Sequence, residues 1–490
     1  MSNPLRRVNS LSALAFALGA VAFVRSVAFG FVYDDHWTIE GAPLDKPLLR
    51  ILSWLVRGVG REHHIPDETR PAMVASVWID RALFRDAPAG YHADSVALYA
   101  IACVLALWVS FALTSSVRVA VAAAVLFAFA PLHTEVVCAI NYREDLLASI
   151  GVLVPLVCLL RPGRSTRATE VLALGAFGLG LMSKESAVAL VPLVAITGAI
   201  LPRARERFLA KREIVVGLLG VLVLWLWWRG ALVAKGDDLP RAHYASAWAR
   251  VLATARFAVS VGASTLFPIR PAPEHARMAA ASPLWVLPLG AWIASVVLLA
   301  RRRRARVLAL ALAIVVIAPL PASPIFAPAN EIADRYAFLG VLGAGLAWGE
   351  LVARLPRRIY MATVTVAGVA LWIACQFSAA PWHDDRKLWS EAIACAPTSP
   401  RAWVGLSRAS RLAGDLDEAD RDVDRAIALD PKFVGARVTR SYNLLCRGDV
   451  AGARRELAVI HDLGGDRHAG VAKATECAAL APDEARACAR

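Results

Sequence analysis

No two cysteines in this sequence are spaced Cys-x-x-Cys, so it carries neither a zinc-ribbon nor a dithiol redox motif. Charge is scarce too. Asp, Glu, Lys and Arg make up 19% of the 490 residues, against 58% hydrophobic residues, and the mean hydropathy is +0.52. A soluble chain of this length is more polar. The first apolar block follows NPLRRVNS like the start of a secretory signal. No clear cleavage site follows it, so it reads as a retained first span. Acidic residues are outnumbered, 40 against 54 Lys and Arg, for a net charge of +14. That excess does not point to nucleic acid, because the basic residues gather between apolar blocks, as in the cytoplasmic loops of membrane proteins.

What the sequence has in quantity is apolar blocks of about 16–22 residues, long enough to cross about 30 Å of hydrocarbon as helices. They fall near 9–32, 93–114, 117–132, 145–160, 169–183, 186–202, 214–231, 284–300, 307–322, 335–353 and 359–378. The pattern predicts an all-α, polytopic membrane helix bundle of about 11 spans over residues 1–380. Basic connections at Arg6 and Arg7, Arg118, Arg161 to Arg167, Arg203 to Arg212, Arg301 to Arg306 and Arg354 to Arg358 share one face if the N-terminus is cytoplasmic. The C-terminus then lies outside. Residues 246–267 are apolar but hold Arg250 and Arg256, and a crossing there would put Arg301–Arg304 outside. An interfacial or re-entrant helix on the outer face is expected instead. Within the outer loop 33–92, LDKPLLRILSWLVRGV and RPAMVASVWIDRALF read as two surface helices.

Residues 381–490 are soluble in character. WSEAIACAP ends at Pro397 and VDRAIALDP at Pro431, a spacing of 34, with Trp403, Leu406, Gly414, Ala419 and Ala426 between them at tetratricopeptide-repeat offsets. Gly448 and Ala453 repeat Gly414 and Ala419 at the same spacing. A tetratricopeptide-repeat domain of stacked helix pairs is expected. Cys395, Cys446, Cys477 and Cys488 lie in this tail and allow one or two disulfides on an oxidising side, with the pairing open.

Four charged motifs open on the outer face. In GFVYDDHWTIEG, Asp34 and Asp35 end the first apolar run. They either mark the exit from lipid or supply a general base for a hydroxyl nucleophile, and with His36 they could hold a divalent ion. PLHTEVVCAINYREDLLASI brings His133, Glu135, Arg143, Glu144 and Asp145 to one bend, a density of charge that marks functional cavities in membrane proteins. In LMSKESAV, Lys184 and Glu185 interrupt an apolar stretch, and Lys184 either snorkels or binds phosphate. In APANEIADRYAFLG, Glu331, Asp334 and Arg335 precede Tyr336. Together they suit a reaction between a phosphate-bearing lipid, whose leaving charge needs cations, and a hydroxyl, whose proton needs a carboxylate.

In order along nearly the whole chain, FVYDDHWTI, ETRPAMVASVWIDRALFRDAPAGYHADSVALY, PLHTEVVCAINYREDLLA, SKESAV, ADRYAFL and the repeat-bearing tail resemble the transmembrane and tetratricopeptide-repeat O-mannosyltransferases, polytopic glycosyltransferases of the GT-C class. The resemblance implies an inverting enzyme that moves a sugar, mannose or another hexose, from a polyprenyl-phosphate donor to protein hydroxyls. It implies Asp35 or Asp34 as the base, with Asp35, farther from lipid, preferred. It implies His133, Arg143, Lys184 and Arg335 around the donor phosphate, and a tail that binds or positions the acceptor peptide. No cofactor is required, since Lys and Arg can neutralise a monophosphate. Acidic groups such as Glu135 and Asp145 leave a divalent metal open. Two other readings are a non-catalytic membrane-anchored repeat scaffold and a transporter. The second is disfavoured because no internal repeat is clear among the spans and most charges sit at span ends. The Ala- and Arg-rich composition suggests a bacterial inner-membrane protein with a periplasmic tail, or an endoplasmic-reticulum protein in a eukaryote.

Overall fold

The computed structural model of the chain describes residues 4–42, 44–58, 69–233, 246–267, 271–275, 282–326, 332–466, 468 and 470–489. Most of REHHIPDETR and Glu331 therefore lie outside the described residues. Every regular element among those described is helical. The chain divides into two compact units, one of Met1–Pro271 and Met278–Ala380, the other of Ala272–Arg277 and Pro381–Arg490.

The first unit contains α1 (Pro4–Phe23), α2 (Leu48–Arg57), α3 (Pro71–Phe84), α4 (Pro88–Thr114), α5 (Val117–Ala128), α6 (Thr134–Cys138), α7 (Arg143–Leu160) and α8 (Arg167–Ser183). It continues with α9 (Leu190–Ile200), α10 (Pro202–Ala210), α11 (Arg212–Val233), α12 (Ala247–Leu266), α13 (Val286–Arg301), α14 (Arg306–Ile317), α15 (Gly340–Val352) and α16 (Arg357–Ala379). All eleven apolar blocks fall on helices. Six stretches are long and apolar enough to cross a membrane on their own: Val8–Ala28, Pro88–Thr114, Arg212–Leu232, Pro283–Arg301, Arg303–Phe326 and Arg357–His383. Val117–Ala128 with Pro131–Cys138 forms a further one, bent by 51°. The remaining apolar helices fall short because their outer ends unwind at the charged motifs. Single 3₁₀ turns occur at Pro131–His133, Ile140–Tyr142, Glu185–Ala189 and Asp334–Ala337. Irregular backbone at this depth is tolerated only where protein surrounds it or a cavity adjoins it.

Small residues let the helices approach. A Cβ at Gly345 or Gly349 of α15 would lie 2.9 or 2.8 Å from the carbonyl oxygens of Ala123 and Val119 on α5, the close packing that drives association in lipid. On the opposite side from the charged motifs, basic side chains cap helix ends. Lys211 Nζ donates to the carbonyls of Cys158 and Arg161, both at 2.6 Å, and Arg207 donates to Leu160 at 2.7 Å. These are carbonyls that α7 leaves without intrahelical partners. The surface helices form as the periodicity predicts. α2 buries Ile51, Trp54 and Leu55 against Met73, Val74 and Val77 of α3, and leaves Leu49 and Val56 exposed. The 246–267 segment is helix α12. It buries Leu252, Phe257 and Val261 and packs on α13, α14, α15 and the Asp334–Ala337 turn.

The second unit contains α17 (Asp385–Cys395), α18 (Pro400–Leu412), α19 (Leu416–Leu429), α20 (Val434–Arg447), α21 (Val450–Asp462), α22 (Val471–Ala478) and α23 (Pro482–Ala489). The 34-residue spacing recurs in three dimensions. Gly414 (φ +86°) and Gly448 (φ +82°) turn α18 into α19 and α20 into α21. The next residues, Asp415 and Asp449, cap the following helices by accepting from the backbone N–H of Glu418 at 3.0 Å and Gly452 at 2.7 Å. Ala392, Ala426 and Ile460 are all fully buried at that spacing. Cys477 and Cys488 form a disulfide, while Cys395 and Cys446 remain as thiols outside any disulfide. A Cβ at Gly405 of α18 would fall inside the indole of buried Trp389. Gly405→Ala is therefore expected to destabilise this unit by about 1–3 kcal/mol through overpacking, measured as a lower thermal midpoint of the purified protein.

Candidate active site

The first outer loop leaves α1 through a turn that few sequences adopt. Tyr33 has φ +61°, which costs a non-glycine residue about 1–2 kcal/mol. His36–Glu40 then winds as a single π turn, a form found mostly at functional sites. Adjacent Asp34 and Asp35 consequently face opposite ways. Asp34 is exposed, and its backbone carbonyl accepts from the N–H groups of Trp37 at 3.0 Å and Thr38 at 2.9 Å. Asp35 has no exposure. Its Oδ1 accepts from the N–H of Asn141 at 2.7 Å and its Oδ2 from that of Val32 at 3.2 Å. Burial pushes the Asp35 carboxyl up to about 7, against those backbone hydrogen bonds and the charge of His36.

The ring of Tyr33 packs on Tyr142, 5.6 Å between centroids. Burial, with the negative charge of Asp34 adding to it, holds the Tyr142 hydroxyl well above its usual range. The Arg335 guanidinium lies over the Tyr142 ring at 4.2 Å and the Tyr336 ring at 5.0 Å. Arg335 also forms an ion pair with Glu135, whose second oxygen accepts from the Arg335 backbone N–H at 3.0 Å. Its buried Nε has no acceptor among the described residues. Beside it, Lys184 Nζ lies 2.8 Å from Glu144 and 2.5 Å from Asp145. Arg70 pairs with Glu144 and, at 3.3 Å, with Glu185, which lies 3.9 Å from Arg229. Among the described residues the cluster therefore holds four cations, Arg70, Lys184, Arg229 and Arg335, and four carboxylates, Glu135, Glu144, Asp145 and Glu185, that pair with one another.

Of the residues expected around a phosphate, the structure gathers Lys184 and Arg335 and sets two apart. His133 is enclosed by aromatic rings, with centroids of Phe127 at 4.6 Å and Phe338 at 4.2 Å. Its ring nitrogens face the Tyr99 hydroxyl at 2.8 Å and the Phe338 carbonyl at 3.2 Å. Arg143 is fully buried and lies 2.6 Å from Asp80 and 3.2 Å from Asp94, donating also to Ser95 Oγ and the Tyr91 carbonyl. These partners tie α7 to α3 and α4, so Arg143 locks helices together rather than facing a ligand. Glu135 and Asp145, considered for a metal, are each taken up by a cation. No group of three or more His, Cys, Asp or Glu suited to a metal occurs among the described residues.

Reading the sequence missed Arg70, Tyr142 and Arg229. Arg229 left a signal, as a lone cation within an apolar block. Arg70 left one as well. It stands just before Pro71 at the start of α3, where the helix dipole disfavours a cation lacking an anionic partner.

Within the bundle lies a small apolar crevice of about 10 Å³. Val152, Leu156 and Leu160 of α7, Leu193 of α9, Ile314 of α14 and Leu342 of α15 line it with Leu339, and Thr197 is its one polar lining residue.

No family model matches this sequence. It is 22% identical over 439 residues to a protein O-mannosyl-transferase of Caenorhabditis elegans, covering 86% of this chain and 63% of that one. It is 28% identical over 257 residues to protein O-mannosyl-transferase Tmtc2 of Drosophila melanogaster, covering 48% and 27% of the two chains. It is 29% identical over 274 residues to Tmtc1 of the same fly, covering 49% and 31%. The chain spans less than two thirds of the length of each of these relatives. Among solved structures, ArnT from Cupriavidus metallidurans, bound to undecaprenyl phosphate, aligns over 88% of this chain and 79% of that one, with a TM-score of 0.44 and 15% identity. Sequence motifs and whole-sequence similarity point to the same group of proteins, the transmembrane O-mannosyltransferases.

Proposed function

We propose that residues 1–380 form an inverting glycosyltransferase that moves a hexose from a polyprenyl-phosphate donor to a hydroxyl of a protein acceptor. The observation that carries this reading is the cluster of buried cations and carboxylates around Lys184 and Arg335, set among apolar membrane helices, with the exposed Asp34 near Tyr142. An amphiphile with an anionic head and a long apolar tail has the matching chemistry.

In this reading Asp34 takes the proton of the acceptor hydroxyl. The freed oxygen attacks the anomeric carbon from the face opposite the phosphate, the carbon–oxygen bond to phosphate breaks, and the sugar is inverted. Arg335 is the better-suited phosphate ligand. Its Nε–H has no acceptor among the described residues and its guanidinium pairs with Glu135, whereas Lys184 is shared between Glu144 and Asp145. Glu135, Glu144, Asp145 and Glu185 are each paired with a cation. The 34-residue helix pairs of residues 381–490 are read as tetratricopeptide repeats that bind the acceptor. The chain is a multi-pass membrane protein, and its site is read as facing the periplasm, or the endoplasmic-reticulum lumen in a eukaryote.

The test is transfer of labelled hexose from a panel of polyprenyl-phosphate sugars to Ser- and Thr-containing peptides by the protein purified in detergent. Transfer with one donor and an inverted linkage is the expected result. No transfer with any donor, together with specific capture of peptides by the protein, would replace this reading with that of a non-catalytic scaffold.

A further inference from the structure

We infer that Asp35 is a positioning residue, a buried clamp that ties the first outer loop to the Ile140–Tyr142 turn and so presents Asp34 near Tyr142. The inference rests on the transferase reading above for its catalytic meaning, while the clamp itself stands on geometry.

Three observations converge. Asp35 is wholly buried, so an acceptor hydroxyl cannot meet it. Its two oxygens accept backbone N–H groups from two separate loops, Asn141, 106 residues on, at 2.7 Å and Val32 at 3.2 Å. Between Val32 and Asp35 stands Tyr33 in its left-handed conformation, which persists only where the surroundings over-determine it. The same clamp holds Asn141 next to Tyr142, the ring on which Arg335 rests. One buried carboxylate thus holds the loop that carries the exposed Asp34 against the turn that carries Tyr142.

The clamp works in the ionised state. Both oxygens then accept, whereas a protonated carboxyl points an O–H at one of the two N–H groups. The titratable neighbour is His36, itself 2.5 Å from Glu40. With the carboxyl pushed up to about 7 by burial, the clamp loosens as pH falls through neutrality.

The experiment compares wild type, Asp35→Asn and Asp34→Asn in full-length protein, by steady-state kinetics on either side of neutral pH and by hydrogen exchange at the amides of Val32 and Asn141. Asp35→Asn is expected to lower kcat by about 10–100-fold through misplacement, leave donor KM unchanged, remove the acid limb seen near pH 7 in wild type, and speed exchange at both amides. Asp34→Asn is expected to be inactive at every pH with both amides still protected. Loss of transfer in Asp35→Asn with full activity in Asp34→Asn would overturn the assignment, since Asp35 would then be the base. Unchanged exchange in Asp35→Asn would overturn the clamp. Exchange needs no turnover, so a wild type that transfers nothing would defeat the transferase reading while the clamp is still tested. If Asp35→Asn does not fold, the pH dependence of exchange at the same amides in wild type decides. Protection that does not fall below neutrality would refute the clamp.

Discussion

Asp34→Asn is expected to reduce kcat for sugar transfer by about 10²–10⁴-fold, the range that general bases supply, without lowering the thermal midpoint. Asparagine keeps the volume and the backbone of the turn. The Asp34 carbonyl, which the substitution leaves untouched, accepts the hydrogen bonds of Trp37, Thr38 and the Thr38 hydroxyl that wind the turn. Donor KM is expected to hold, because Arg335 and Lys184 remain in place. Steady-state kinetics alongside thermal unfolding in the same detergent check the prediction. A variant with wild-type kcat would place the base elsewhere.

Arg143→Met is expected to produce the largest loss of stability, about 3–5 kcal/mol, the usual result of removing one member of a buried ion pair. The side chain of Asp80 is 3% exposed and would be left without its cation, whereas Asp94, 41% exposed, can rehydrate. Burial already raises the Asp80 carboxyl to about 6 with Arg143 beside it. Its folded value lies above its unfolded one, so holding it ionised weakens the fold at pH above that value, and protonation relieves the burden as pH falls. The defect in Arg143→Met is thus expected to deepen as pH rises. Asp80→Asn in the same chain should recover part of the lost midpoint. A small, pH-independent defect would mean that Arg143 does not lock the helices. A phosphate ligand would behave differently, raising donor KM with the midpoint intact.

The contrast between Arg143 and Arg335 shows what could be read from the chain. Both precede an apolar helix, and both look like phosphate ligands locally. Their roles diverge through partners far off in sequence. Asp80 on α3 takes Arg143, and Glu135, 200 residues away, takes Arg335 while leaving its Nε open. The surroundings of His133 were hidden for the same reason, since Tyr99, Phe127 and Phe338 converge on it from separate segments. Asp34 and Asp35 were legible as a pair but not in their orientation, because the unusual φ of Tyr33 decides which one turns inward. The apolar crevice left no mark, as its leucines and valines are those that any span carries. Local signals fared better. Each apolar block coincides with a helix of the bundle, and the spacing from Gly414 to Gly448 recurs as a turn and an Asp cap. The disulfide needed the fold, since Cys477 was as free on paper to pair with Cys395 or Cys446 as with Cys488.

The even balance of the cluster, four cations against four carboxylates, bears on how a carrier lipid would come and go. A sugar-loaded polyprenyl phosphate is a diester with a single negative charge, and the spent carrier is a monoester with up to two. A strongly cationic pocket would grip the spent form harder and stall on its own product. A neutral one gains little from the second charge, since each cation already has a carboxylate to return to when the phosphate leaves. On the proposed reaction, the carboxylates around Lys184 and Arg335 act as an internal counter-ion that makes room for the loaded carrier and speeds departure of the empty one.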